Sequence, residues 1–569
     1  MKNRLKGPSP DLARTVTNVS FHRAAPAACA RNNSLIAVIY FVSFVTTLFF
    51  ALARGQDINW DQRNYHIGIP TLLAQGSFWA SAAPANIPSY QNPLLAQADL
   101  LIITHLPPML ASAVLALVQS LAPSIAGVMC LRICAPTGAA TWRPRAGRIA
   151  ASLGFALCLM TPVALSEAGT TFVDTVTAGP VLLAYLLLLT RDDSVVPSQR
   201  RRIRHAALAG VLLGAMAALK LTNAVFVISS LGFAFAGRER LTERLIWLLW
   251  LACGATFTAI VVGGPWSFQL WQHFGNPVFP YFNAVFQSPE FPNVNWADGH
   301  FHFNSVFDLW RVPLHWLHGT TDSPLTMSPT AELRFTDVRW FFINLAVPGF
   351  LGLLLVWPPL RRRWLADPAT GLLFAVILGF LAWARLFAIS RYLAPVDILA
   401  GAAALCLSGL LPWQALRLFG LTAFTLLCLD KVEVMDWEHV PWQARWSTIN
   451  TQRLDLGGDA LVFLLGEPLL FTAASLQPNT IYVGLDQPTA ARRVKFDLRG
   501  DQDNAFTRSL HARLSADPAL KILTLGQRRT TAWDRELLAS YGLQATANCR
   551  QMIIGQIRFD LCDVERSSP

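Results

Sequence analysis

Charge is what this 569-residue chain has least of: Asp, Glu, Lys and Arg make up 14% of it, against 53% hydrophobic residues. Soluble globular chains run at about 25% charged residues, so most of this length has no water to face. Lysine is scarcer still, since Lys220 is the only one between residues 7 and 430. There is no Cys-x-x-Cys or Cys/His spacing for zinc, no internal repeat and no low-complexity stretch. These absences exclude a soluble enzyme, a disordered or collagenous chain, a disulfide-dense scaffold and a solenoid.

What is present is a series of apolar runs. A bilayer core needs about 20 apolar helical residues, and the first such run, Ser34 to Ala53, follows Lys2, Arg4, Lys6, Arg14, Arg23 and Arg31. A basic flank and a run too long for a removable signal predict a retained first span, with residues 1–33 cytoplasmic. Further runs fall at 107–131, 149–166, 173–190, 206–219, 221–236, 245–263, 341–357, 370–388, 394–411 and 418–429. The net charge of +11 is explained by where the arginines sit: Arg143, Arg145 and Arg148; Arg200, Arg201, Arg202 and Arg204; Arg238, Arg240 and Arg244; Arg361, Arg362 and Arg363 all fall on the side of the N-terminus. That asymmetry predicts about eleven spans and removes nucleic acid as a partner. The stretch 206–236 is read as two short helices meeting near Lys220, because 31 residues do not make two full crossings.

The expected architecture is therefore an α-helical polytopic membrane protein with a membrane part at 34–429, large outer loops at 54–106 and 264–340, and an outer tail at 430–569. The tail alternates apolar runs (Ala460 to Leu465, Thr480 to Leu485, Lys521 to Leu525, Met552 to Ile557) with amphipathic stretches (Ala505 to Leu514, Trp533 to Tyr541), the pattern of a small α/β domain. Cys549 and Cys562 flank a strand pair there. Both a bridge in an oxidising compartment and two small buried residues fit that placement.

Ionisable residues at membrane depth are costly and so mark function. Four places qualify. Asp57 and Asp61 stand just after span 1, where a carboxylate can act as general base toward a substrate presented from the lipid; a solvated loop end is the plainer reading. Glu167 and Asp174 lie at an outer hairpin, where Asp174 also suits a helix N-terminus. Lys220 sits between two short helices, as an anion-binding cation or a snorkelling side chain. Arg385 and Arg391 break the charge rule by lying outside; they suit a phosphate oxygen or an ion pair with Asp397 or a loop carboxylate.

With acids and bases converging on one membrane surface, the chain resembles the GT-C superfamily of polytopic glycosyltransferases, which includes protein O-mannosyltransferases and lipid A aminoarabinose transferases. The resemblance rests on Asp61-Gln-Arg-Asn-Tyr65, followed by His66 to Gly76; on Gly169 to Asp174; on Leu208-Ala-Gly-Val-Leu-Leu-Gly214 leading to Lys220; and on Arg391-Tyr-Leu-Ala-Pro395. At the second acidic position of the family's first motif this chain has Gln62. The resemblance implies a sugar moved from a polyprenyl-phosphate donor to an acceptor hydroxyl, with inversion, on the outer face of a bacterial cytoplasmic membrane. It implies Asp61 as catalytic base, with Asp57, Asp174 or Glu167 as a second acid, and Arg391, Lys220 and Arg385 on the donor phosphate. Tyr65, His66 and the loop tryptophans Trp60, Trp79, Trp266 and Trp296 would line the substrate. A divalent metal is compatible with such a site, and the acceptor is a glycan, lipid or protein. Two other readings stay open: a lipid or solute transporter, whose charges would lie at mid-span with pseudo-symmetry, and a polymerase or ligase moving a lipid-linked oligosaccharide. Phe274 to Asn283 resembles a stretch of uncharacterised bacterial relatives without an assigned role.

Overall fold

Each apolar run of the membrane part becomes helix in a computed structural model of the chain, which describes residues 26–134, 142–191, 198–298, 301, 303–319, 330–449, 453–485, 496–517 and 519–567. The expected cytoplasmic segment lies outside the described residues up to position 25, and the first helix, Pro26–Ala53, starts within its last part. Among the described residues six helices are long and apolar enough to cross a bilayer: Asn33–Ala53, Pro108–Ile133, Gln199–Leu219, Leu241–Phe274, Arg339–Val356 and Pro368–Leu386. A seventh crossing is made if the pair Ser390–Ile398 and Ala400–Ser408, bent by 46°, counts as one span. The remaining runs are shorter elements, such as Asp174–Leu189 and Leu221–Phe235, the latter short as expected, so the described helices do not establish a count of eleven spans. The chain is nonetheless a multi-pass membrane protein, helical for most of its length.

The break expected at Lys220 is present. Helix Gln199–Leu219 ends there because Lys220 is extended, with φ −144° and ψ 110°, and a short turn Leu221–Asn223 restarts the chain. The preceding glycine motif has a packing cause. A Cβ on Gly210 would stand 2.1 Å from the Leu251 carbonyl oxygen, and one on Gly214 the same 2.1 Å from that of Ala255. Small residues four apart let helix Gln199–Leu219 lie directly on the backbone of Leu241–Phe274, the usual solution where lipid offers no hydrophobic drive.

The tail forms a five-stranded sheet in the order β4-β3-β5-β7-β6. Here β1 (Gln56–Asp57) and β2 (His439–Val440) make a separate two-stranded ladder, followed by β3 (Ala460–Leu465), β4 (Ile481–Leu485), β5 (Lys521–Gly526), β6 (Leu543–Ile554) and β7 (Ile557–Arg566). Strands β3, β4 and β5 are parallel, and all six residues of β3 are buried, as a strand covered on both faces requires. The run Met552 to Ile557 is not one strand. It straddles a tight hairpin at Gly555 (φ +61°), which joins β6 to β7, and periodicity cannot see a two-residue turn flanked by apolar residues. Cys549 and Cys562 face each other across β6 and β7 and are joined by a disulfide.

The sheet is not a free appendage. Ala82, from the first large loop, pairs with the edge of β4: its N–H donates to Tyr482 O at 2.9 Å and its carbonyl accepts from Gly484 N at 3.0 Å. Ile67, Leu72 and Phe78 of that loop share one hydrophobic core with Phe463, Leu470 and Tyr482 of the tail. The tail therefore holds the loop that carries the first acidic motif.

Candidate active site

The site is assembled at the ends of the helices that face the sheet domain. Where span 1 ends, Gln56 and Asp57 pair with Val440 and His439, which follow the last helix of the bundle. Gly55 adopts φ +92°, and a Cβ there would come within 2.4 Å of the Val440 carbonyl oxygen. The Asp57 carboxylate accepts from Asn59 N and Nδ2, from Gln62 Nε2 at 3.1 Å, and from Thr171 N and Oγ1, both at 2.9 Å. It is a clamp that ties the first loop to the hairpin 169–174, and it does not line the cavity. Gln62 extends the clamp, since its Oε1 accepts from Trp446 Nε1 at 3.1 Å and Thr448 Oγ1 at 2.9 Å. The Gln62 amide thus uses both its ends, joining loop, hairpin and tail.

Held this way, Asp61 joins a network with three other sequence-predicted charged residues, with Tyr65 beside it. Arg391 Nη1 donates to Asp61 Oδ2 at 2.8 Å and to Asp174 Oδ2 at 3.3 Å. Lys220 Nζ donates to Asp174 Oδ1 and lies 4.6 Å from the centre of the Tyr392 ring. Tyr65 OH donates to Asp61 Oδ2 at 2.9 Å. Each of the four charged residues comes from a chain break: Asp61 begins an irregular turn, Asp174 is the first residue of its helix, Lys220 interrupts one, and Arg391 stands in Ser390–Leu393, the short turn that opens the bent pair. Sequence reading missed a fifth member, Glu332, whose Oε2 accepts from Arg391 Nε at 2.7 Å. Nothing in its surroundings, Ala331-Glu-Leu-Arg-Phe335, distinguishes it from the other acids of the second loop. Tyr392 and Phe172 complete the setting, with the Arg391 guanidinium 5.0 Å from each ring centre.

All of these except Asp174, which lies behind them, form one wall of a cavity of about 1010 Å³ with predominantly apolar lining, bounded by both large loops and by Glu467 at the end of β3. Trp60, Trp266 and Trp296 line it. Trp79 does not: it stacks on His273 at 3.8 Å, away from the cavity. Arg385 is exposed in the last turn of its helix, Pro368–Leu386, and is not among the cavity residues, so of the two arginines expected at a phosphate only Arg391 is in the cluster. Glu167 is buried behind Asp174, accepting from Thr175 N at 2.9 Å and Oγ1 at 2.6 Å, and caps that helix. Its environment, burial first and Asp174 second, pushes it up to about 8, the state of a neutral structural acid. His66 turns into a small side pocket behind Tyr65, 3.7 Å from Asp99, and burial lowers it to about 4. Neither Glu167 nor His66 reaches the cavity that Asp61 faces.

Burial works against the charge of Asp61, but Arg391, His66, Lys220 and the Tyr65 hydroxyl outweigh it and hold the carboxyl below its ordinary 3.8. Two donors remain available. Among the described residues Arg391 Nη2 donates to no protein group, and Lys220 Nζ donates only to Asp174. The arrangement offers an ionised carboxylate beside unspent cationic N–H groups. No group of three or more His, Cys, Asp or Glu among the described residues is disposed to hold a metal ion, and Asp61 and Asp174 are already bridged by Arg391. The residues do not fit a divalent cation, and no chemistry is routed through one.

Residues 90–321 match the model of Glycosyltransferase family 87, a stretch that contains Asp174 and Lys220 and leaves Asp61, Glu332 and Arg391 outside. The chain resembles the GT-C membrane glycosyltransferases in that central region. No curated protein matches it. Among solved structures it is similar to ArnT from Cupriavidus metallidurans in the apo state, with 14% identity over 95% of this chain and 100% of that one and a TM-score of 0.46. ArnT bound to undecaprenyl phosphate matches at 14% identity over 96% and 100%, with a TM-score of 0.43. The Archaeoglobus fulgidus oligosaccharyltransferase in the apo form matches at 11% identity over 86% and 69%, with a TM-score of 0.45. These likenesses, all below a TM-score of 0.5, leave the reading of the site to its own geometry.

Proposed function

We propose that this cavity is the active site of a membrane glycosyltransferase that moves a sugar from a polyprenyl-phosphate donor to an acceptor hydroxyl on the outer face of a bacterial cytoplasmic membrane. The observation that carries the reading is the single network in which Asp61, Lys220 and Arg391 line a large, mainly apolar cavity and Asp174 ties the two cations together from behind, at the helix ends that face the sheet domain. An apolar cavity suits the prenyl chain, and unspent N–H groups on Arg391 and Lys220 suit the phosphate. A transporter would place these charges at mid-membrane on repeated, discontinuous helices.

In the reaction the acceptor oxygen attacks the anomeric carbon and the bond from that carbon to the phosphate oxygen breaks. The electron pair leaves with the lipid phosphate, whose growing charge Arg391 and Lys220 hold. The acceptor's proton passes to Asp61, and direct displacement inverts the anomeric centre. The present pairing couples these roles. While Arg391 donates to Asp61, the carboxylate is a weak base; when Arg391 turns its donors to phosphate, Asp61 loses its strongest cationic neighbour and gains basicity. Binding of donor thus readies the base. The test is turnover of Asp61→Asn with a polyprenyl-phosphate monosaccharide, beside the same lipid carrying an oligosaccharide. A loss of about 10²–10⁴-fold is expected. Turnover within severalfold of the parent removes Asp61 as base, and transfer from the oligosaccharide donor alone makes the protein a ligase.

A further inference from the structure

The guanidinium of Arg391 has two edges that can grip an anion with two parallel N–H bonds, and Nη2 belongs to both. Asp61 and Asp174 hold Nη1, so the end-on edge is half taken by carboxylates with strong anchors of their own: Asp61 also accepts from Tyr65, and Asp174 from Lys220. The side-on edge, Nε with Nη2, is half taken by Glu332 alone. Glu332 makes one hydrogen bond among the described residues, that to Arg391 Nε, and its side chain is 22% exposed against 5% for Asp61 and 3% for Asp174. It comes from the second large loop, whereas the other two sit on turns clamped into the bundle. It also lines the cavity.

The charges point the same way. Three carboxylates face two cations, so a lipid phosphate entering beside all three would meet a site already negative in sum. Exchange of one carboxylate for one phosphodiester leaves that sum unchanged, and Glu332 is the carboxylate with least to lose. Burial, opposed by Arg391, holds its carboxyl above the ordinary value.

From this geometry we infer that Glu332 is a specificity-determining residue that stands on the side-on edge of Arg391 in place of the donor's phosphate and is exchanged for it, charge for charge. The inference rests on the reading of Arg391 as the phosphate-holding cation. It gives the second loop a role in donor selection: an anion must compete with Glu332, which a neutral lipid cannot do, and must offer two oxygens to the Nε and Nη2 donors.

The experiment is binding of farnesyl phosphate to the full-length protein in detergent, by titration calorimetry, for the parent, Glu332→Gln, Glu332→Ala and Arg391→Gln. Both Glu332 variants should bind about tenfold more tightly, the effect of removing one competing charge-assisted hydrogen bond; damage to the fold would weaken binding, not strengthen it. Unchanged or weaker binding by both, with binding lost in Arg391→Gln, overturns the role of Glu332 and leaves the phosphate reading of Arg391 intact. Parental binding by Arg391→Gln overturns that reading instead. Should neither Glu332 variant fold, amide exchange in the parent decides. Exchange over residues 331–335 should rise severalfold when farnesyl phosphate saturates the protein, and unchanged exchange at saturation overturns the exchange of ligands.

Discussion

Two arginines on the sheet side of the bundle each tie together carboxylates from distant parts of the chain, and they end up in opposite conditions. Arg339 donates from Nε and Nη2 to Asp337 at 3.0 and 2.6 Å, from Nη2 to Asp397 at 2.8 Å, and from Nη1 to Thr161 Oγ1 at 2.8 Å and the Leu157 carbonyl at 3.0 Å. Trp340 Nε1 adds a bond to Asp397 at 2.7 Å. Every nitrogen is used, the side chain is 1% exposed, and none of these residues lines the cavity. Arg391 serves three carboxylates against the two of Arg339 but keeps Nη2 unspent toward a large cavity, next to a lysine with donors to spare. Both clusters carry more carboxylates than cations, so charge balance does not separate them. What separates them is saturation: a completed network fixes one arrangement, and an incomplete one beside open space can trade a partner.

The widest test of that difference is Arg339→Ala. It leaves Asp337 and Asp397 buried without their cation and should cost about 3–5 kcal/mol, read as a lower melting temperature and lower yield of folded protein in detergent; a melt unchanged from the parent would place Arg339 among ornamental ion pairs. Arg391→Lys sharpens the contrast. It keeps the charge, so the melt should stay near the parent's, while loss of the guanidinium fork should lower turnover about 10²–10³-fold. If stability and turnover fall together, the two arginines do the same structural work. Gln62→Ala probes the clamp between them and the tail. It removes acceptors from Trp446 and Thr448 and a donor from Asp57, for about 1–3 kcal/mol, with turnover reduced because Asp61 loses its support.

The smallest effect expected is in pH. Because the folded chain holds Asp61 below its ordinary 3.8, the base of the free enzyme stays ionised as pH falls, and kcat/KM should show no Asp61 limb between about pH 7 and pH 5. The groups facing it are Arg391, Lys220, Tyr65, Asp174 and Glu332, with His66 close behind Tyr65. A fall of kcat/KM centred near pH 6 that disappears in Asp61→Asn would contradict that direction.

Much of the cluster was legible because membrane topology makes misplaced charge conspicuous. Asp61, Asp174, Lys220 and Arg391 break either the hydrophobic runs or the distribution of arginines, and they meet in the structure. The same signal overreached at Arg385, which is exposed, and at Asp57, whose clamp involves a partner 114 residues away in Thr171. Glu332 was invisible for the converse reason, since an acid in a polar loop breaks no rule until the fold sets it against Arg391. The short pair at 206–236 was legible from its length, whereas the total of about eleven spans is not established, because hydropathy measures burial and not whether a helix is long enough or broken.

By itself the sequence determined the multi-pass helical architecture, the helix break at Lys220, the α/β character of the tail and the short set of charges worth explaining. Each of these follows from local composition, because a bilayer punishes polar residues one at a time and strands and helices show their period within a few turns. Only the tertiary structure decided which charges share a cavity, that the tail's sheet and Gln62 hold the Asp61 loop, and that Arg339 is saturated while Arg391 is not. Those are facts of distance between residues far apart in the chain, and no local pattern encodes how many hydrogen bonds an arginine has left.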